Sequence, residues 1–241
     1  TRVRADVASA RASGVRFDGA QSVGGGGPAD VDWGVGLRDV AVDDIDAAGA
    51  HVDSVSSTNF QAAGLASGAD SWFLSRADQA EVNGLDHELL SAGHGQLTGA
   101  GLDWRAGGET KLHAAGLQAE GVAASNFSAE QVRARDSEIK LGNGEARVSL
   151  AEADVQNARL ADRVDVHHAS LTGVDASQVD GLRRVLVGHA GVDGARDSVS
   201  GTTLDSGTLD GVDLRGGGAG YDSRIAGAAV NGLLEYLGGD P

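Results

Sequence analysis

Cysteine is absent from this sequence, which excludes disulfides, thiolate metal centres and thiol nucleophiles together. Methionine is absent too, even at position 1, so the chain is expected to be a processed product or a piece of a longer one. Three Trp, two Tyr and four Phe leave few bulky side chains for a compact centre, and Ala, Val and Leu each bury less surface than an aromatic. Positive charge is scarce: 19 Lys and Arg stand against 35 Asp and Glu, a formal net charge of -16. Such a surface repels phosphate backbones and anionic membranes, so no nucleic-acid partner is expected. No apolar run of about 18 residues and no signal-peptide pattern occurs, so no transmembrane segment is expected. The lack of cysteine is compatible with export, and an extracytoplasmic location is favoured.

What the chain has in excess is glycine, 38 residues of it, and a repeat. Ala115-Gly116-Leu117, Ala153-Asp154-Val155 and Ala190-Gly191-Val192 follow one another at intervals of 38 and 37 residues. Ala77-Asp78-Gln79 is a degenerate copy, and Ala5-Asp6-Val7 precedes it by close to two periods. A second marker, apolar-x-apolar followed by a glycine turn, starts at Val31, Leu102, Ile139 and Val212. Periods of 20–50 residues mark repeat arrays. Within a unit, "EIKLGNGEARVSL" alternates apolar and polar residues around a Gly-Asn-Gly turn, and "RVDVHHASL" alternates through Val164 and Val166, the signature of short strands and hairpins. Val199, Leu204, Leu209 and Leu214 keep a five-residue interval. Elsewhere that interval fails, and it reads as coincidence or local coil geometry.

The expected fold is all-β: an elongated tandem array of about six units of ~37 residues, either a long curved sheet or a β-solenoid such as a right-handed β-helix. At the C-terminus Ala226, Ala229, Val230, Leu233, Leu234 and Leu237 keep helical spacing. This predicts a short capping helix over 223–237, and hence a repeat domain at 1–222 with a capping helix and tail at 223–241. An array with one covered end leaves the other open, so a protein partner or a neighbouring segment of the parent chain is expected at the N-terminal end.

Candidate sites are weak. "GGAGYDS" at 217–223 matches the start of a calcium-binding nonapeptide, but stands alone, and such motifs need stacked copies. "TLDSGT" at 203–208 resembles an aspartic-protease signature without a second carboxylate partner. His167 and His168 are adjacent and on a strand face opposite sides. Asp44 and Asp46 share a face, and His87 lies between Asp86 and Glu88 without H-E-x-x-H spacing. No catalytic, cofactor or metal residue is assigned, no cofactor is expected, and the chain is read as a non-enzyme.

The rhythm of "LDWRAGGETKLHAAGLQAEGV" and "AEADVQNARLADRVDVHHASLTGV" resembles the β-repeat segments of the AsmA/TamB family. That resemblance implies a long curved sheet with an apolar trough that carries lipid. It supplies no site residue. Three functions follow: a non-enzymatic structural or interaction module of a larger exported or surface protein, an apolar groove that binds or transfers lipid, and a carbohydrate-active enzyme on a β-helix. A face left apolar and uncovered discriminates the groove from a closed solenoid.

Overall fold

A computed structural model of the chain describes residues 5–22, 30–47, 49–66, 70–88, 90–142, 144–179, 182–217 and 220–233. It is all-β. The strands are β1 (Ala5–Ser13), β2 (Arg16–Ser22), β3 (Asp30–Ala47), β4 (Ala50–Ala66), β5 (Trp72–His87), β6 (Leu90–Arg105), β7 (Thr110–Ala124), β8 (Phe127–Gly142), β9 (Glu145–Leu160), β10 (Val164–Val179), β11 (Leu182–Asp197), β12 (Thr203–Gly217), β13 (Gly220–Arg224) and β14 (Gly227–Asn231). They form one antiparallel sheet in which strands from β3 to β12 follow sequence order. β1 and β2 lie in line along β3, and β13 and β14 lie in line along β12. The sheet is thus twelve strand positions wide and does not close on itself. At ordinary strand spacing and rise it measures roughly 50 Å each way.

Packing runs between neighbouring strands, and among the described residues no second layer covers either face. The accessible surface is 15146 Å², whereas a compact protein of this mass exposes about 10,000 Å². The long curved sheet is therefore the better of the two expected architectures in its openness, and the β-helix is overturned. Antiparallel hairpins with short turns, such as the one joining β8 to β9 through Gly144, cannot wind coils.

The ~37-residue unit is one hairpin. Its marker is conformational. From β3 to β12 each strand holds one interior residue with φ between 49° and 64°: Asp44, Asn59, Gly84, Gly99, Gly121, Asp136, Asn157, Gly173, Gly194 and Gly211. Glycine, asparagine and aspartate are the residues that tolerate this region. The strand registers place them on two seams that cross the sheet. Asp44, Gly84, Gly121, Asn157 and Gly194 lie on the first. Asn59, Gly99, Asp136, Gly173 and Gly211 lie on the second. Every strand crosses both; β10 does so at His167 and Gly173. Ladder pairing skips the seam positions: Val166 pairs Ala195 and His168 pairs Asp193, with His167 opposite Gly194 between them. Register is otherwise unbroken.

The seams decide which way side chains point. On a regular strand, residues three apart face opposite sides. Here Phe127, Ala129 and Val132 of β8, and Val164, Val166 and Ala169 of β10, belong to one packed cluster. Apolar residues therefore step two, then three across the first seam and stay on one face. The same backbone device sits at the second seam, and the apolar series of β10 continues as Leu171, Val174 and Ala176. Rows of such residues cross the sheet: Val122–Ala129–Ala158–Val166–Ala195–Leu204 is one, Leu117–Ala134–Ala153–Leu171–Ala190–Leu209 another. The nine buried hydrophobic residues (Ala62, Ala114, Val122, Ala129, Ala134, Ala153, Ala158, Val166 and Val212) belong to this apolar series. No side chain is fully buried among the described residues.

Three sequence expectations are corrected by this geometry. The capping helix is not formed: residues 220–224 and 227–231 are edge strands, while 234–241 lie outside the described residues. A two-and-three step overlaps the three-and-four step of a helix, and Ile225, Ala228, Val230 and Leu233 satisfy the former. The five-residue interval is no coincidence, because two plus three is five: Leu204, Leu209 and Leu214 lie on the apolar face of β12. Finally, the alanine motif does not mark one structural position. Ala153 and Ala190 lie two residues inside the second seam, Ala115 lies on it beside Gly99, Ala77 lies one residue outside it, and Ala5 lies at the other end of its strand.

The seam makes a direct prediction. Gly173 has φ +62°, and an added Cβ would meet nothing closer than 3.7 Å, so only backbone conformation is at issue. Gly173→Val should cost about 1–2 kcal/mol, while Gly173→Asn, the residue at Asn59 and Asn157, should cost less than half as much. Urea denaturation of both variants measures the difference.

Candidate functional site

The face opposite the apolar one carries the polar chemistry. One of its rows spans all twelve strand positions: Ser9–Asp43–Ser54–Asn83–His94–Glu120–Gln131–Gln156–His168–Asp193–Ser206–Asn231. Neighbours in the row hydrogen-bond. Ser9 donates to Asp43 at 2.7 Å, Asn83 to Ser54 at 3.1 Å and Gln131 to Glu120 at 3.5 Å, while the His94 ring meets Asn83 Oδ1 at 2.7 Å. Cross-strand polar pairs of this kind stabilise a sheet modestly, each by roughly 0.2–1 kcal/mol.

Two histidines are set among carboxylates. His168 Nε2 lies 2.5 Å from Asp154 Oδ2 and its Nδ1 lies 3.3 Å from Asp193 Oδ2. Hydrogen bonding to Asp154, then to Asp193, raises the His168 pKa above its ordinary 6.5, and bonding to His168 lowers that of Asp154. His51 Nδ1 lies 3.0 Å from Asp46 and 3.9 Å from Asp44, with Nε2 3.3 Å from Asp53. The hydrogen bond that His51 donates to Asp46 is the main cause of its raised pKa. Asp44, Asp46 and His51 bring one donor atom each within 4.8 Å of one another. They could grip a divalent ion only by displacing the proton that the carboxylates favour on His51. At opposite margins of the sheet Arg184 and Arg215 clamp Asp213, and Arg163 clamps Asp197, holding both carboxyls well below the usual carboxylate range. These exposed pairs fasten neighbouring strands and turns.

The residues singled out in the sequence do not converge. Asp205 lies on the first seam, beside Gly232. His167 stands on the same seam against Gly194, apart from the carboxylates that hold His168. His87 ends β5, paired with Ala50 and Leu90. "GGAGYDS" forms the β12–β13 hairpin, with Arg215 opposite Asp222; residues 218 and 219 lie outside the described residues. Asp44 and Asp46 do come together, but around His51, which the sequence did not flag. His168 with Asp154 and Asp193 was missed likewise. Both groups assemble across strands, so only knowledge of the register could have found them.

The strongest functional feature is the apolar face itself: rows of Ala, Val and Leu crossing an open sheet, uncovered by any described element. Among the described residues no helix is long and apolar enough to cross a membrane. No family model, no curated protein and no solved structure matches the chain.

The His168 group gives a pH prediction. A raised histidine pKa stabilises the fold fully below 6.5, and that contribution is lost as pH rises through the folded value. The lowered Asp154 pKa stabilises above 3.8, and is lost as pH falls through its folded value. The pair therefore contributes most between pH 3.8 and 6.5. For so exposed a pair the contribution is about 1 kcal/mol or less. Thermal melts of the parent and His168→Gln should differ by ~2–4 °C near pH 5.5 and converge above pH 8.

Proposed function

We propose that the chain is a non-enzymatic binding module whose apolar sheet face takes the hydrocarbon chains of lipid, as part of a larger exported or surface protein. The observation that carries this reading is the confinement of the nine buried hydrophobic residues to one face, a face that no described element covers. A contiguous apolar patch of more than a few hundred Å² on a soluble protein marks an interaction surface. A sheet roughly 50 Å on a side exceeds that several-fold. The chemistry of the face favours hydrocarbon over a folded protein. Most of its rows consist of Ala, Val and Leu with Gly; Trp33, Phe73 and Trp104 gather in one row toward a margin, away from the centre where protein interfaces concentrate Trp, Tyr and Arg anchors. A smooth, shallow apolar strip suits a flexible chain that conforms to it. The polar rows on the reverse face keep the other side wetted. Resemblance in rhythm to the AsmA/TamB β-repeats supports the same ligand class. The carbohydrate-active alternative is not favoured, since the sugar-stacking aromatics it needs are few and the β-helix it assumed is not formed.

The test is binding of a fluorescent fatty acid, with lipid extraction and native mass spectrometry of the purified protein. Leu117→Glu with Leu171→Glu, in one apolar row, should weaken fatty-acid binding at least about tenfold, since each charge replaces roughly 1.5–3 kcal/mol of apolar burial. Glu81→Gln on the polar face should leave it unchanged. Absence of bound lipid and equal weak binding by all three proteins would return the face to a protein-interaction role.

A further inference from the structure

Among the described residues the sheet has two unpaired edges, β1–β2 and β13–β14, and its row pattern reaches both. The seams run through them: Gly14 lies on the second seam opposite Arg38, and Gly232 on the first opposite Asp205, each with positive φ. Positive φ alternates between seams from strand to strand, and a strand following β13–β14 must carry it on the second seam. β1–β2 does. The polar row also ends at both edges, on Ser9 and on Asn231. The apolar rows end on Ala10 and Ala12 at one edge and Val230 and Ala228 at the other. The edges also carry exposed hydrophobics: Val15 at 63% and Phe17 at 69% on one, Ile225 at 51% and Val230 at 61% on the other.

We propose that the chain associates head to tail, β13–β14 of one copy pairing antiparallel with β1–β2 of the next. The seams set the register. Asn231 then sits beside Ser9, Val230 beside Ala10, Ala228 beside Ala12 and Ile225 beside Val15, so every row continues across the joint. The like charges this brings together, Arg16 with Arg224 and Asp18 with Asp222, are each neutralised within their own strand, at 3.2 Å and 3.8 Å. Pairing of an edge with its own copy fits less well. Beyond the first seam a strand has three residues, Val164–Val166 in β10, and beyond the second it has six, Val174–Val179. A twofold joint sets the short margin against the long one and leaves residues of the long margin unpaired at both ends. A head-to-tail contact does not close, so it builds open assemblies, and each joint covers two edges that otherwise invite pairing. This inference concerns the edges and is independent of what the apolar face binds.

The chain's lack of cysteine makes the test clean. Ser9→Cys and Asn231→Cys are prepared separately and oxidised alone and mixed. The expected result is a disulfide-linked dimer in the mixture, little cross-linking of either variant alone, and a ladder of oligomers from the double variant. Light scattering of the parent should show mass rising with concentration, and Val15→Lys with Ile225→Lys should remain monomeric with the parent's circular dichroism. Cross-linking of a single variant with itself, a parent that stays monomeric at its highest soluble concentration, or lysine variants that assemble like the parent would each overturn the proposal.

Discussion

One residue per strand in the left-handed region, at a fixed place in the ladder, is the constraint on which this sheet depends. Without it, a strand of fifteen or more residues would need strict alternation to keep one face apolar. With it, side-chain direction resets at two seams, and the apolar residues follow a two-three-two-three step. Because neighbouring strands cross the seams in register, the reset propagates across the whole width, and the rows remain apolar on one side and polar on the other. The residues at the seam are glycine, asparagine and aspartate because they tolerate positive φ. Some glycine positions are crowded as well: at Gly194 an added Cβ would come within 3.0 Å of the His167 Cβ, and at Gly84 it would overlap Asp53.

A single layer has an unusual energetic balance. The backbone ladder is extensive, but burial comes only from side chains leaning on their row neighbours, and the best-buried positions are alanines and valines. Small residues are covered readily by larger neighbours in the same and adjacent rows, as Ala158 is by Val166 of its own row and by Phe127 and Val155 beside it. Stability is therefore distributed as in other arrays, a sum over hairpins and the contacts between them. The apolar face is what such a layer leaves available, and it is also what makes covering by a ligand favourable.

The polar face manages a strongly acidic composition. In the row from Ser9 to Asn231 carboxylates are interleaved with serine, glutamine and histidine, and where they crowd, as at Asp44, Asp46 and Asp53, a histidine stands among them. The arginines are placed at margins and turns, where Arg163 holds Asp197 and Arg184 holds Asp213. Charge is thus neutralised locally on a surface that stays acidic overall.

Local chemistry determined much of this from the sequence alone: the all-β class, the ~37-residue unit, the Gly-Asn-Gly hairpin, the short alternating stretches around Val164 and Val166. These are properties of neighbouring residues, and period-two alternation and turn residues express them within one strand. Tertiary structure decided the rest. The step of three at a seam looks like a helix at Ala226–Leu233 and like chance at Leu204–Leu214, because a single strand does not reveal that its neighbours reset at the same place. The encounters of His51 with Asp46 and of His168 with Asp154 likewise exist only across strands. Whether the array closed into a solenoid or stayed open depended on hydrogen bonding between hairpins, and that long-range pairing is what left one apolar face uncovered.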